Sequence, residues 1–298
     1  MTCVDLFAGA GGFSTGAKMA GAKVVWAANH WMAAVETHQA NHPETAHACQ
    51  DLHQCDWTRV PKHDVLLASP ACQGHSKARG KDRPHHDAAR ATAWAVVSCA
   101  EVHRPAFVVV ENVPDFRRWI LLPAWDIAMR GLGYQLTYQI IDAADLGVPQ
   151  HRQRLFIVGT RSSFPLELQI QKKPYVPAES LVRDLMGARW SRVDDKCSRT
   201  RERVSAGRKQ HGDRFLIAYY GNERGGRSLT RPLGTVTTRD RYAVVDGDRM
   251  RMLTVDEYRA AMSFPEEYKL PSNRRIATHL LGNAVCPPVA EAVIRCLQ

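Results

Sequence analysis

The sequence predicts an α/β fold, a doubly wound sheet in the amino-terminal half followed by a smaller, loop-rich lobe. Three observations carry this. Short apolar or β-branched runs alternate with helix-length segments over the first 161 residues. Gly9, Gly11 and Gly12 follow directly on the first run, as a tight strand-to-helix turn requires. After Gly159 the alternation stops, and proline, glycine and arginine take over.

Strands are expected at 3–8, 23–29, 64–68, 106–111, 136–142 and 154–159, with helices at 13–20, 32–40, 88–103 and 120–130. Alternation of this kind argues for a parallel sheet. Pro105 and Pro114 bracket a Phe-Val-Val-Val run suited to a strand buried on both faces. Residues 163–230 hold Pro165, Pro174 and Pro177 and no long amphipathic period, so they read as a small irregular lobe. A helix is expected at 254–262, and Pro287-Pro288 suits the start of a last helix reaching 297. The expected division is therefore 1–162, 163–230 and 231–298, with the last helix returning to the first domain.

At 298 residues the chain can bury a full core, and its 45% apolar content is ordinary for a globular protein. No apolar run approaches the ~18 residues of a membrane span, and the first residues do not resemble a signal peptide. The eight cysteines show no regular framework and read as reduced thiols, which suggests a cytoplasmic protein. His42, His47, Cys49, His53 and Cys55 include no C-x-x-C pair, so no metal is expected.

The net charge of +10 is localised. Residues 74–90 hold five Lys/Arg against two acids, and residues 170–230 hold fourteen against seven. The remaining residues are neutral in sum, so the whole excess sits in two stretches. A polyanionic partner, most commonly nucleic acid, accounts for that better than two unrelated solvated loops.

Cys72 stands at the end of the apolar run Val65 to Ala68, just past Ser69-Pro70, where open α/β sheets hold their ligands. Gly74, His75 and Lys77 after it are not core neighbours, so a reactive thiol is favoured over a packing one. The glycine turn does not match G-x-G-x-x-G and no Walker lysine follows, which favours a nucleoside ligand over a pyrophosphate. On residue type alone, Glu111 also admits the less favoured reading of a helix cap, and Arg152 and Arg154 that of surface charges.

Five segments in order resemble the cytosine-5 DNA methyltransferase family, over nearly the whole chain. They are Asp5 to Phe13, Pro70 to Ser76, Glu111-Asn112-Val113, Gln150-His-Arg-Gln-Arg154, and Gly282-Asn-Ala-Val285 with Pro287-Pro288. The resemblance implies a Rossmann-like methyltransferase sheet, a target-recognition lobe at 163–230, and a brace from Arg231-Pro232 onward. It implies S-adenosylmethionine as cofactor, held by Phe7, Ala8, Gly9, Ala10, Gly11 and Gly12, with Asp51, Leu52 and Pro70 and the closing wall Asn283, Ala284 and Val285. The family's ribose acid and adenine-stacking aromatic align with Asn29 and His30, with Trp31 next.

The implied chemistry explains the residue types. Carbon-5 of cytosine is a poor nucleophile until a thiolate, here Cys72, adds to carbon-6. Glu111 then serves ring nitrogen 3 and the exocyclic amine, while Arg152 and Arg154 serve the carbonyl oxygen. A base inside a duplex hides carbon-6, so base flipping is implied. Gln73, Ser76, Lys77, Arg79, Lys81 and Arg83 resemble a loop closing over the extruded base. Arg199, Arg201, Arg203, Arg208 and Lys209 are candidates for DNA contacts.

The expected partner is double-stranded DNA, with no membrane and no metal, for a monomer working beside a restriction endonuclease. The alternatives are a tRNA cytosine-5 methyltransferase, or a DNA-binding relative that has lost turnover. One departure bears on rate: the family usually has proline immediately before the cysteine, and this chain has Ala71, with Pro70 one place earlier.

Overall fold

The computed structural model describes residues 1–71, 92–182, 189–220 and 223–298. By packing, the chain divides into two compact units: Met1–Ala143 with Gln153–Lys172 and Ala284–Gln298, and Ala144–Arg152 with Lys173–Asn283. These differ from the three segments expected. Residues 163–172 and Ala284–Gln298 pack with the first unit, and the second unit joins residues 144–152 to most of the expected lobe and to the expected brace as far as Asn283.

The first unit is built on a seven-stranded sheet in the order β3-β2-β1-β4-β5-β7-β6. Its strands are β1 (Thr2–Leu6), β2 (Lys23–Asn29), β3 (Ala46–Cys49), β4 (Val65–Ala68), β5 (Phe107–Asn112), β6 (Gln135–Asp142) and β7 (Gln153–Thr160). The helices are α1 (Gly12–Met19), α2 (Met32–Asn41), α3 (Trp94–His103), α4 (Leu122–Gly131) and, from the end of the chain, α8 (Pro287–Arg295). β4 is buried at every residue and β5 at all but its first, as strands covered on both faces must be. Trp125 and Met129 of α4 pack on one face of this core, where the Trp125 indole donates to Ala93 O at 2.9 Å.

The expectation of a parallel sheet needs one correction. β1 to β5 pair in parallel, but β7 runs antiparallel to both β5 and β6. Only residues 143–152 connect β6 to β7, which is short for a parallel crossover and ample for a reversal. β3 escaped the sequence reading because Ala-His-Ala-Cys at a sheet edge has no apolar signature.

The second unit holds a four-stranded antiparallel sheet in the order β8-β11-β10-β9, from β8 (Ser191–Arg192), β9 (Arg214–Ala218), β10 (Tyr242–Asp246) and β11 (Arg249–Met252). Beside it are α5 (Ser198–His211), α6 (Val255–Ala261) and α7 (Arg274–Asn283). Val204, Phe215, Ile217, Ala243, Val245 and Met250 form its core. The region expected to be irregular thus contains a 14-residue helix. Only Thr200, Val204 and Gly207 of α5 are buried, a stripe too narrow to register as an amphipathic period. Among the described residues no helix is long and apolar enough to cross a membrane.

Candidate active site at the carboxyl edge of the sheet

Because β1 to β5 run parallel, their carboxyl ends share one edge of the sheet, and reversed β7 begins at that same edge. The chain leaves β1 towards β2 and β3, then returns to lay β4 against the other side of β1. Leu6 of β1 is paired with Ala28 on one side and with Ala68 on the other. This is a topological switch point, where loops diverge and leave a crevice.

The glycine loop leaves β1 here. Phe7, Gly9 and Gly11 have φ of 60°, 55° and 82°. A left-handed phenylalanine is costly, and such strain is kept where a loop must hold one shape. A Cβ on Gly12 would stand 2.0 Å from Val285 O, so only glycine lets these two expected cofactor residues meet. Ala284 and Val285 are buried in this unit. Asn283 closes α7 in the second unit and is exposed.

Beneath the loop lies a polar chain that the sequence did not reveal. Asp5 is fully buried and accepts the Ser14 hydroxyl at 2.7 Å. Ser14 Oγ lies 2.9 Å from His38 Nε2, and His38 Nδ1 lies 2.8 Å from His47 Nε2. Alongside, Thr15 Oγ1 donates to Gly11 O at 2.7 Å and lies 3.2 Å from His42 Nε2. Burial raises the Asp5 carboxyl to about 7 against the lowering effect of Ser14, and burial lowers His42 to about 4. Burial, then His42 and His47, hold His38 well below the ordinary histidine value.

At the end of β2, Asn29 Oδ1 accepts from Trp31 N at 3.0 Å. Asn29, expected in place of the ribose acid, has one acceptor lone pair engaged locally and retains the second lone pair and the Nδ2 hydrogens for a ligand. His30 is exposed and Trp31 half-buried beside it. Gln50 N donates to Asn29 O at 3.1 Å, which brings Asp51 to the same edge. Asp51 is exposed and accepts from His53 N at 3.0 Å, while Leu52 is buried.

Cys72, Gln73, Ser76, Lys77, Arg79, Lys81 and Arg83 lie outside the described residues. The backbone that leads to them is anchored twice. Asn112 Nδ2 donates to Pro70 O at 3.1 Å, and Ala71 N donates to Thr92 Oγ1 at 3.1 Å. Asn112 was visible only as part of the Glu-Asn-Val triplet. Thr92 carried no sequence signal.

Glu111 is buried near the end of β5, with its Oε1 3.0 Å from Arg154 Nε. Register explains the pair. Glu111 faces Phe156 across the antiparallel ladder, and Arg154 lies two residues from Phe156, on the same face as its diagonal neighbour. Arg154 Nη1 also donates to Gln153 O at 2.8 Å.

Arg152, expected beside Arg154 among the catalytic residues, behaves differently. It is buried in the second unit, where Nη1 donates to Val236 O at 2.9 Å and Nη2 to Gly282 O at 2.8 Å. With Gln150, which accepts Val236 N and donates to Ala261 O, it fastens backbone segments of that unit.

The arginines of α5 also divide. Arg199, Arg201 and Lys209 are exposed. Arg203 instead donates to Tyr220 O at 3.1 Å and lies over the Tyr219 ring. Arg208 donates to Gly247 O at 2.7 Å and pairs with Asp248. These two, expected as DNA contacts, each brace a carbonyl of their own unit. Among the described residues no cluster of His, Cys, Asp or Glu is arranged to hold a metal ion.

A mostly parallel sheet with a strained glycine turn at its switch point, and a buried Glu–Arg pair two strands away, defines a methyltransferase-type α/β protein. The chain belongs to the C-5 cytosine-specific DNA methylase family, whose model matches residues 1–298. It is a DNA cytosine-5 methyltransferase.

It is 26% identical over 302 residues to the Type II methyltransferase M.NlaX of Neisseria lactamica, covering 97% of this chain and 94% of that one. With M.HgiDI of Herpetosiphon aurantiacus the identity is 28% over 306 residues, covering 100% and 94%. Two solved structures share the fold. A prophage-encoded E. coli protein has a TM-score of 0.77 and 19% identity, covering 100% of this chain and 98% of that one. Spodoptera frugiperda DNMT2 has a TM-score of 0.72 and 18% identity, with 99% of each covered.

Proposed function

We propose that this chain transfers a methyl group from S-adenosylmethionine to carbon-5 of a flipped cytosine in double-stranded DNA, with Cys72 as the attacking thiolate. The observation that carries the reading is the buried Glu111–Arg154 pair, one strand over from the backbone anchored at Pro70 and Ala71. A carboxyl so held can face a nucleobase edge, and Arg154 fixes its direction.

The donor fits the residues around the switch point. The left-handed turn at Phe7, Gly9 and Gly11 allows close approach to backbone, and Asn29, His30 and Asp51 stand together at the neighbouring strand ends. When bound, S-adenosylmethionine supplies an electrophilic methyl group on a sulfonium. Phe7 to Gly12, with Ala284 and Val285, would hold its amino-acid end, and Leu52 the adenine.

The protein's own residues then act on cytosine. The Cys72 sulfur bonds to carbon-6, and the displaced electron pair makes carbon-5 nucleophilic. Glu111 holds the proton or hydrogen bond at nitrogen 3, and Arg154 keeps Glu111 in place while offering a donor towards the carbonyl oxygen. After carbon-5 gains the methyl group it loses its proton, the carbon-6 to sulfur bond breaks, and Cys72 returns as thiolate.

Arg199, Arg201 and Lys209 of α5 are proposed phosphate contacts, and the cations at 77–83 are proposed to close over the base. The Type II names of the relatives support a modification role beside a restriction endonuclease in the cytoplasm. The test is bisulfite sequencing of host DNA after expression, beside a Cys72→Ser control. Wild-type protein should protect cytosines in one repeated motif and the control none; no new protection with the wild type would reject the reading.

A further inference from the structure

The chain Asp5–Ser14–His38–His47 joins three elements that frame the proposed donor loop. Asp5 lies two residues before Phe7, Ser14 stands in the first turn of α1, and His38 projects from α2. Thr15 and His42 repeat the α1–α2 tie one position along α1 and one turn along α2. Both ends of the loop are therefore fastened to α2 through buried imidazoles.

The bonds carry a direction. Ser14 has one hydroxyl hydrogen, and with Asp5 ionised it goes to Oδ2. His38 must then donate Nε2–H to Ser14, which leaves Nδ1 to accept Nε2–H from His47. With Asp5 protonated, every bond in the chain can reverse. His47 is half-buried, so the outer end of the chain approaches solvent while Asp5 is sealed. Asp5 Oδ1 is buried with no hydrogen-bond partner, which leaves the carboxylate under-compensated inside the fold.

We infer that Asp5, Ser14 and His38 form a charge-setting relay for the methyl-donor site. Ionised Asp5 is the counter-charge for a sulfonium, and His38 is the positioning residue that holds Ser14 on it. The inference rests on the reading that residues 7–12 bind the donor. Its chemical content is discrimination between a cationic sulfonium and the neutral thioether left after transfer. A buried carboxylate favours the first and gives the second no such advantage, which assists product release.

Burial pushes the other ionisable groups facing the relay away from the range of Asp5. Cys3 on β1 has a thiol pushed up to about 12 by burial and then by Asp5, so it is neutral. His42 is held near 4, with Glu44 and Lys18 beyond it, and is neutral as well. His47 is lowered by burial. The Asp5 carboxyl, raised by burial to about 7, is placed to change charge between pH 6 and 8.

The test is calorimetric binding of S-adenosylmethionine and S-adenosylhomocysteine to the intact protein, without DNA, at pH 6, 7 and 8. The sulfonium lowers the α-amino pKa of one ligand relative to the other, so the Asp5→Asn protein supplies the reference for any pH dependence that belongs to the ligands themselves. For the wild type that ratio should rise several-fold, up to about tenfold, from pH 6 to pH 8. Asp5→Asn should give a low, flat ratio. His38→Gln, which retains a donor to Ser14, should keep the high ratio at pH 8, whereas His38→Leu should lose it. Thermal melts of each variant identify any that do not fold. A flat wild-type ratio with both ligands bound, or an Asp5→Asn profile matching the wild type, overturns the relay and leaves the donor site standing. No binding of either ligand at any pH overturns the donor reading itself.

Discussion

Thr92 Oγ1 receives the backbone N–H of Ala71 at 3.1 Å, one residue before the proposed nucleophile. A proline at position 71, as the resemblance leads one to expect, would have no hydrogen to give. Alanine restores the donor, and Thr92 satisfies it. What a ring would fix covalently is fixed here by a hydrogen bond.

Thr92→Val should therefore slow covalent capture of DNA containing 5-fluorocytosine several-fold, since an unmet part-buried N–H costs about 1 kcal/mol, the low end of the range for buried groups. Ala71→Pro should remove most of that sensitivity, because no N–H remains to be stranded. A double-mutant cycle on trapping rate measures the coupling. Additive effects would show that the bond does not position the backbone.

Glu111→Gln should lower single-turnover methylation by roughly 10²-fold or more while DNA binding changes little, since the loss falls on the reacting ring. Arg154→Lys keeps the charge but loses the fixed donor geometry, and a reduction of about tenfold or more is expected. Rapid-quench kinetics at saturating DNA separates these from weakened binding. Equal losses in affinity and turnover would place the pair outside the chemistry.

Asp5 also makes stability depend on pH. Its folded value, about 7, lies above the ordinary carboxyl value, so between pH ~4 and ~7 the folded state holds a proton that the unfolded state has released. The stabilisation is complete below pH ~4 and is lost as pH rises through 7. Asp5→Asn should therefore gain stability relative to the wild type as pH increases from 5 to 8, by at most about 3 kcal/mol. Urea denaturation of both proteins at the two pH values checks the sign. A difference independent of pH would mean that Asp5 stays ionised in the fold.

The basic residues of α5 should separate into two groups. Alanine at Arg199, Arg201 and Lys209 should weaken binding to all duplexes alike and reduce the salt dependence by nearly one unit for each phosphate no longer neutralised. Alanine at Arg203 or Arg208 should instead lower the melting temperature, because each holds carbonyls of its own unit. Salt titrations and melts on the same variants distinguish the groups. A salt slope unchanged by the first three substitutions would remove α5 from the DNA surface.

Strands were legible where burial demanded an unbroken apolar run, as in Val65 to Ala68 and Val108 to Val110, since few other environments select such sequences. Direction was not legible. An isolated strand such as β7 looks the same whichever way it runs. Glu111 and Arg154 could be picked out by type and order, but Arg152 and Arg154 look alike in sequence. Only the ladder reveals that one faces Glu111 while the other is committed to carbonyls. Ser14 and His38 were invisible for a similar reason. Polar residues on two helices become a network only when both helices pack behind one strand.

The reversal of β7 has a consequence for biogenesis. β7 is inserted between β5 and β6, two strands that precede it in the chain and that cannot meet each other without it. Until it enters, Glu111 has no Arg154, and the sheet edge that would face a nucleobase lacks half of its charge pair. The Glu111–Arg154 pair is therefore complete only when the last strand of the sheet in chain order has taken its place, which ties the formation of the centre to completion of the sheet.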